Sequence, residues 1–301
     1  MSELTEPLTG PRLQVVLPDE SPEMSPHTLA DLGVRAEELG ADTVWLPDHV
    51  LPPEPYGNTY GGVYEPLVAL AYLAARTERV RLGTSVLVLP MRDTFVLAKQ
   101  VATLDRLSEG RFTLGVGVGW EREEFAAVGS DFTNRGARTD EALALLRHLF
   151  EGEGPFRGRF HSYERGVFEP RPADRVRLMV GGGSDAALRR AAEWADEWQG
   201  VDPDPEVFRR ARNRLRQLTR RPVRAGVRMA WTGGEEEFAA AVERFRELTA
   251  SGADSVAVWF GRRRGLRGAH GAFRGRAALS ESALRGAGPG SARAGIPGYF
   301  W

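Results

Sequence analysis

The chain has 301 residues, 42% of them hydrophobic, a formal net charge of −1, five histidines and no cysteine. That is enough apolar material for one large α/β domain or two ordinary ones. The charge balance gives no global electrostatic case for nucleic acid or an anionic membrane, and the lack of cysteine excludes disulfides and thiolate metal sites. No apolar run reaches the length of a membrane span, and the opening "MSELTEPLTGPRLQ" has no basic region followed by an apolar one, so a soluble, cytoplasmic protein is expected.

In chain order, "LQVVLP" (13–18) predicts a strand, and "HTLADLGVRAEELG" (27–40) a helix with apolar residues at helical spacing and a glycine stop. "TVWLPDH" (43–49) is the second strand, "EPLVALAYLAART" (65–77) a helix and "VRLGTSVLVLP" (80–90) the third strand. "FVLAKQVATLDRLSEG" (95–110) predicts a helix with Gly110 at C′, "FTLGVGVG" (112–119) the fourth strand and "RTDEALALLRHLFEG" (138–152) the next helix. A connection rich in Gly, Pro and Arg follows (153–175), the one long insertion. Then come "RLMVGGG" (177–183), a strand, "SDAALRRAAEWA" (184–195), a helix, and "EWQGV" (197–201), a short strand. The basic helix "RRARNRLRQLTRR" (209–221) lacks interleaved aromatics and reads as a solvated face. "VRAGVRMAW" (223–231), "EEEFAAAVERFRELTASG" (235–252) and "SVAVWFG" (255–261) close the series as strand, helix and strand.

Eight strands alternating with helices demand parallel pairing, and eight such units in this length match an α/β fold, the (β/α)₈ TIM barrel, as a single domain with an insertion before strand 5. The barrel is expected over residues 1–261. Residues 262–301 are an atypical tail of Gly, Arg and Ala in which only "AALSESALRG" suits a helix, so a weak eighth helix and poor order are expected there. A doubly wound open sheet is the runner-up, but it wants a G-x-G-x-x-G after the first strand and "LQVVLPDESP" has none.

The fourth strand carries the first functional signal. Side chains alternate across a strand, so Phe112, Leu114, Val116 and Val118 share one face and Thr113, Gly115, Gly117 and Gly119 the other. The apolar set belongs under the helices and the glycines face the barrel interior. For Gly115, a tight barrel explains the small residue as well as a ligand does. For Gly117 and Gly119, near the strand end, a flat ligand against the backbone is the better explanation. Gly181, Gly182 and Gly183 lie between a strand and a helix that Ser184 can N-cap, where free N–H groups favour an anion; an ordinary βα turn is the alternative. Asp48 and His49 follow the second strand at the end where barrel enzymes place chemistry, and His suits proton transfer near neutral pH; a structural hydrogen-bonder fits the same position. The loop "LPPEPYGNTYGGVY" brings Tyr56, Tyr60 and Tyr64 over the mouth as a substrate lid.

These residues resemble the luciferase-like monooxygenase superfamily, through "ADTVWLPDHV", "RVRLGTSVLVLPMR", "LAKQVATLDRLSEGRFTLGVGVGWEREEF", "RGARTDEALALLR" and "VGGGSDAALRRAAEWADEW". Within it they are most similar to the oxidoreductases that use the 8-hydroxy-5-deazaflavin coenzyme F420. The resemblance runs from about Leu13 to Val201, is general from Asp202 and is absent after Gly261. It implies a barrel with the deazaflavin across its C-terminal mouth. Asp48 matches a position that contacts the ring, and His49 a proton donor. Ser85 and Val86 match a strand bulge with a non-prolyl cis peptide that props the ring. Val118 and Gly119 match its backbone wall, and Gly182, Gly183, Asp185 and Ala186 the phosphate loop. Trp120 stands where the sugar-phosphate dehydrogenase branch has a carboxylate, and the basic residues that hold a sugar phosphate have no clear counterparts; Lys99, the only lysine, belongs to a core helix. Trp120 and the lid tyrosines therefore suggest a small apolar or aromatic substrate. Family members are often dimers, so a homodimer is among the expectations.

The favoured reading is hydride transfer between F420 and that substrate. One alternative is a monooxygenase of the same fold using reduced FMN and O₂; another is a flavin- or deazaflavin-binding protein without turnover. Hydrolase and metal chemistry fare poorly. "GTSVL" lacks the closing glycine of a G-x-S-x-G elbow, and the histidines show no H-x-H or H-E-x-x-H spacing, so no metal is expected.

Overall fold

Parallel strands that alternate with helices have to bury both faces, and this chain does so by closing its sheet on itself. The structure, a computed structural model, describes residues 10–18, 23–231 and 238–260. Its elements in order are β1 (Arg12–Val16), α1 (Pro26–Glu38), β2 (Thr43–Leu46), α2 (Gly57–Tyr60), α3 (Pro66–Ala74), β3 (Arg81–Thr84), β4 (Leu87–Val88), α4 (Thr94–Leu107), β5 (Phe112–Gly117), α5 (Arg122–Ala127) and α6 (Arg135–Glu151). They continue with β6 (Phe156–Arg157), β7 (Ser162–Tyr163), β8 (Arg177–Gly181), α7 (Asp185–Trp194), β9 (Glu197–Val201), α8 (Pro205–Leu218), β10 (Arg224–Ala230), α9 (Phe238–Ala250) and β11 (Ser255–Trp259). Eight parallel strands, β1, β2, β3, β5, β8, β9, β10 and β11, pair in that order, and β11 pairs back onto β1. This is the expected (β/α)₈ barrel. The helix expected in "AALSESALRG" and the tail 262–301 lie outside the described residues.

Local chemistry sets the helix starts. Ser25, Asp93, Ser184 and Asp204 each accept a first-turn N–H on a side-chain oxygen, and Pro26 and Pro205 open helices whose first N–H would be unpaired anyway. At the end of α4 the expectation is off by one residue. Ser108 is the C-cap, Glu109 takes the left-handed turn with φ 54°, and Gly110 follows with φ 75°, donating its N–H to Asp105 O. The third strand divides into β3 and β4 at the Ser85–Val86 peptide bond, which is cis, as the resemblance implies. The long insertion contains the antiparallel hairpin β6–β7, and Glu141 of α6 holds it by accepting from the N–H groups of Arg159, Phe160 and His161.

The alternation on β5 is as expected up to Val116, whereas Val118, also expected under the helices, lies past the strand end and lines the cavity. Phe112, Leu114 and Val116 are buried under the helices, and the glycines face inward. Val16, Trp45, Met179 and Ala257, from four strands, fill the barrel together with Val86 and Trp259. The inward glycines make room for them. A Cβ on Gly83 would lie 2.3 Å from Trp45, and one on Gly115 only 1.8 Å from the Thr84 carbonyl oxygen and 2.7 Å from Met179. Tight packing, not a ligand, is therefore what requires glycine at 115. Below this plug the interior is polar. Trp45 donates its indole N–H to Gln14, and Gln14 and Ser255 both donate to the buried carboxylate of Glu197, which Arg224 approaches at 3.3 Å. Burial pushes the Glu197 carboxyl up and prevails over the opposing Arg224 charge and hydrogen bonds.

Gly115→Ala should therefore lower the urea midpoint, by about 1–3 kcal/mol of stability as for an overpacked core. Gly166→Ala, where a Cβ meets nothing within 4 Å, is the control and should leave the midpoint unchanged. Equal midpoints for the two would show that the barrel has slack at β5.

Candidate functional site

The C-terminal ends of the strands open into a cavity of about 560 Å³, a size typical of cofactor and small-molecule sites. Asp48, His49, Tyr60, Ser85, Val86, Gly117, Val118, Gly119, Trp120, Gly182, Gly183 and Ala186 all line it, so most of the residues singled out from the sequence come together there. Three do not line it. Tyr64 turns away and donates its hydroxyl to the Met24 carbonyl. Tyr56 sits behind Trp120, ring centroids 4.5 Å apart and edge to face. Asp185 points its carboxylate at Arg189 and Arg214 on the helix surface. Lys99, expected in a core helix, is exposed on α4, with its ammonium at the Glu169 carbonyl and 4.2 Å from the Phe168 ring.

At one end of the cavity, α7 presents its N-terminus. Ser184 caps it by accepting from Ala187 N, which leaves the earlier N–H groups of the first turn for an anion. Gly182 has φ 119°, a region open to glycine; it donates its N–H to Gln199 O and accepts the Trp198 indole N–H on its own carbonyl. A Cβ on Gly183 would meet nothing within 4 Å. Two arginines flank this end. Arg190 is almost fully buried and binds Asp140 and the Gly136 carbonyl, and Arg135 donates to the carbonyls of Gly119 and Phe132.

The wall is made by the strand ends. A Cβ on Gly117 would come within 2.5 Å of Val86, and one on Gly119, which has φ 76°, within 2.5 Å of Val88 and 2.7 Å of Phe125. The sequence expectation put a flat ligand there. The space is already claimed by protein atoms, so these glycines are required by the fold itself while still lining the cavity. On the floor, Ser85 donates its hydroxyl to Gln199 Oε1 and Arg228 donates to the Ser85 carbonyl. The Gln199 side-chain N–H₂ is buried and has no partner among the described residues.

Asp48 is buried against the wall, where its oxygens accept from Val88 N (2.9 Å) and Arg92 (2.5 Å); Arg92 also binds Glu65. Burial pushes the Asp48 carboxyl up against the pull of Arg92 and the Val88 N–H. His49 sits beside it. Its Nδ1 lies 2.9 Å from Glu124 Oε2, its ring stacks on Tyr60 with centroids 4.7 Å apart, and Trp120 packs nearly perpendicular to it with centroids 5.9 Å apart. Glu124 is buried, and its Oε1 accepts the N–H groups of Val50 and Leu51. Burial pushes its carboxyl up, but the His49 bond and charge and the two backbone N–H groups outweigh that and hold it below its ordinary value.

Glu124, Gln199, Arg228, Arg135 and Arg190 had no place in the sequence reading. In "WEREEF" three glutamates stand within four positions, and only the fold turns one of them inward. A signal for Arg228 was present: it shares a face of β10 with Gly226 and therefore points inward near the strand end.

Among known proteins, the family model described as luciferase-like monooxygenase matches residues 11–285, past the point where the motifs stop being legible. An F420-dependent glucose-6-phosphate dehydrogenase of Nakamurella multipartita is 35% identical over 193 residues, 63% of this chain and 56% of that protein. One from Kineococcus radiotolerans is 36% identical over 179 residues, 58% of this chain and 52% of that protein. The chain thus spans about half the length of these curated relatives. In three dimensions, an F420-dependent secondary alcohol dehydrogenase in complex with an F420-acetone adduct has a TM-score of 0.76 at 16% identity, over 90% of this chain and 99% of that one. Monooxygenase RslO1 from Streptomyces bottropensis has a TM-score of 0.71 at 21% identity, over 91% and 98%. At such identities the structures speak for the barrel, whereas the family model takes in nearly the whole sequence: the chain belongs to the luciferase-like monooxygenase family.

Proposed function

We propose that this chain is an F420-dependent oxidoreductase that moves a hydride between the deazaflavin and a small apolar or aromatic organic substrate. One observation carries the reading: a single cavity joins the open N-terminus of α7 to the imidazole of His49 across a glycine-lined wall. The preference for F420 over FMN rests on the curated relatives named for that coenzyme.

The residues present suit such a group. The first turn of α7, with Gly182, Gly183, Asp185 and Ala186, offers backbone N–H groups for a phosphate. Ser85, Val86, Gly117, Val118 and Gly119 line the wall against which a planar ring would lie, and Asp48 braces it through Val88. The unpartnered amide of Gln199 is a donor that a protein normally satisfies and that a heteroatom ring can meet. When bound, the deazaflavin supplies the hydride chemistry. The chain's own part is to hold the substrate and move a proton. Tyr60 and Trp120 give an aromatic surface beside His49, with Tyr56 backing Trp120, and this surface favours apolar substrates over sugar phosphates. His49 exchanges the proton at its nitrogen remote from Glu124.

Two outcomes are expected. F420 should bind at least about tenfold tighter than FMN, a difference of about 1.4 kcal/mol, read as quenching of tryptophan fluorescence; equal or reversed affinities would favour an FMN-dependent monooxygenase. His49→Ala should lower turnover by about 10²–10⁴-fold with little change in coenzyme affinity. A large loss of affinity with normal turnover at saturation would make His49 a binding residue instead.

A further inference from the structure

We infer that Glu124 is a positioning residue: it fixes the proton of His49 on Nδ1 and so makes Nε2 the nitrogen that serves the cavity. The function assigned to Nε2 rests on the reading above, but the placement of the proton does not.

Glu124 is the one glutamate of its segment that is buried, at 2% exposure, whereas Glu123 is exposed. A buried carboxylate is costly unless every lone pair in reach finds a donor. Here Oε1 takes two, Val50 N at 2.7 Å and Leu51 N at 3.0 Å, and Oε2 faces His49 Nδ1 at 2.9 Å. An ionised carboxylate only accepts, so Nδ1 has to carry the hydrogen. Tyr60 stacks on the imidazole face and Trp120 packs nearly perpendicular to it, and a flipped ring would present a carbon to Glu124 Oε2 and forfeit that hydrogen bond. The neutral ring is thus left with its lone pair at Nε2, and the protonated ring can release a proton to the cavity only there.

A plain ion pair that anchors the loop after β2 to α5 would explain the same contacts, and one substitution separates the two roles. In Glu124→Gln the side-chain oxygen has to stay with the two backbone N–H groups, because an amide N–H₂ there would face two donors. The N–H₂ then points at Nδ1, which must accept, and the ring hydrogen moves to Nε2. Loop anchoring survives and the tautomer reverses. Glu124→Asp retains the acceptor-only chemistry.

The test uses the full chain labelled with ¹⁵N-histidine, free of coenzyme, at a pH above the ordinary histidine range. The resonance of His49 is identified by its loss in His49→Ala. We expect the Nδ1–H form in the native protein and in Glu124→Asp, and the Nε2–H form in Glu124→Gln. With F420 and substrate, Glu124→Gln should lose about 10²–10⁴-fold in kcat at a nearly unchanged F420 affinity, and Glu124→Asp should recover part of that loss. A native His49 in the Nε2–H form overturns the proposal. So does a Glu124→Gln protein with unchanged tautomer and unchanged kcat, which would leave Glu124 a loop anchor. A native protein that neither binds nor turns over F420, yet shows the tautomer reversal, would refute the proposed function and uphold the positioning role. If Glu124→Gln does not fold, the native spectrum and Glu124→Asp still decide the matter.

Discussion

A barrel of eight parallel strands can close only if side chains fill its interior at crystal-like density, and in this protein one tryptophan sets the terms. Trp45 occupies the middle of the barrel, and β3 accommodates its ring with Gly83, while Gly115 of β5 makes room for the Thr84 carbonyl and Met179 beside it. In the register of those strands Trp45 lies opposite Gly83, and Gly83 opposite Thr113. Because side chains alternate, the same register decides what reaches the mouth one layer higher: Gly117 beside Val86, Gly181 beside Gln199, and Arg228 over the Ser85 carbonyl.

The mouth contains two buried carboxylates with different tasks. Asp48 is consumed by structure: it ties the end of β2 to Val88 of β4 and to Arg92, and Arg92 reaches on to Glu65 at the cap of α3. Val88 and Arg92 are thereby tied to the end of β2. Glu124 also holds a loop by its backbone, but its second oxygen is given to an imidazole. Buried charges persist only when paired and hydrogen-bonded, and here the pairing delivers one oriented histidine to the cavity.

Around that histidine the surface is aromatic, and around the N-terminus of α7 it is backbone and arginine. In the proposed function this division would separate two recognition problems, an anion at one end and an apolar body at the other. Tyr56, Tyr60 and Tyr64 divide the work at the aromatic end: Tyr60 lines the cavity, Tyr56 supports Trp120, and Tyr64 fixes the loop to the Met24 carbonyl.

Much of this is legible in the linear chain. Period-2 and helical patterns place all eight barrel strands, the inward face of β5, the cap at Ser184 and the position of His49 at a strand end, since each depends on interactions between residues close in sequence. Other features depend on neighbours far apart in the chain. Whether Gly115 and Gly117 make room for a ligand or for the protein turns on Thr84, Met179 and Val86, residues that only barrel closure brings near. Which glutamate of "WEREEF" is buried turns on Val50 and Leu51, more than seventy positions away. Local pattern thus determined the elements and the address of the site. Tertiary structure decided the partners, because a buried polar group takes whatever donor the closed barrel puts within about 3 Å of it, at any distance along the chain.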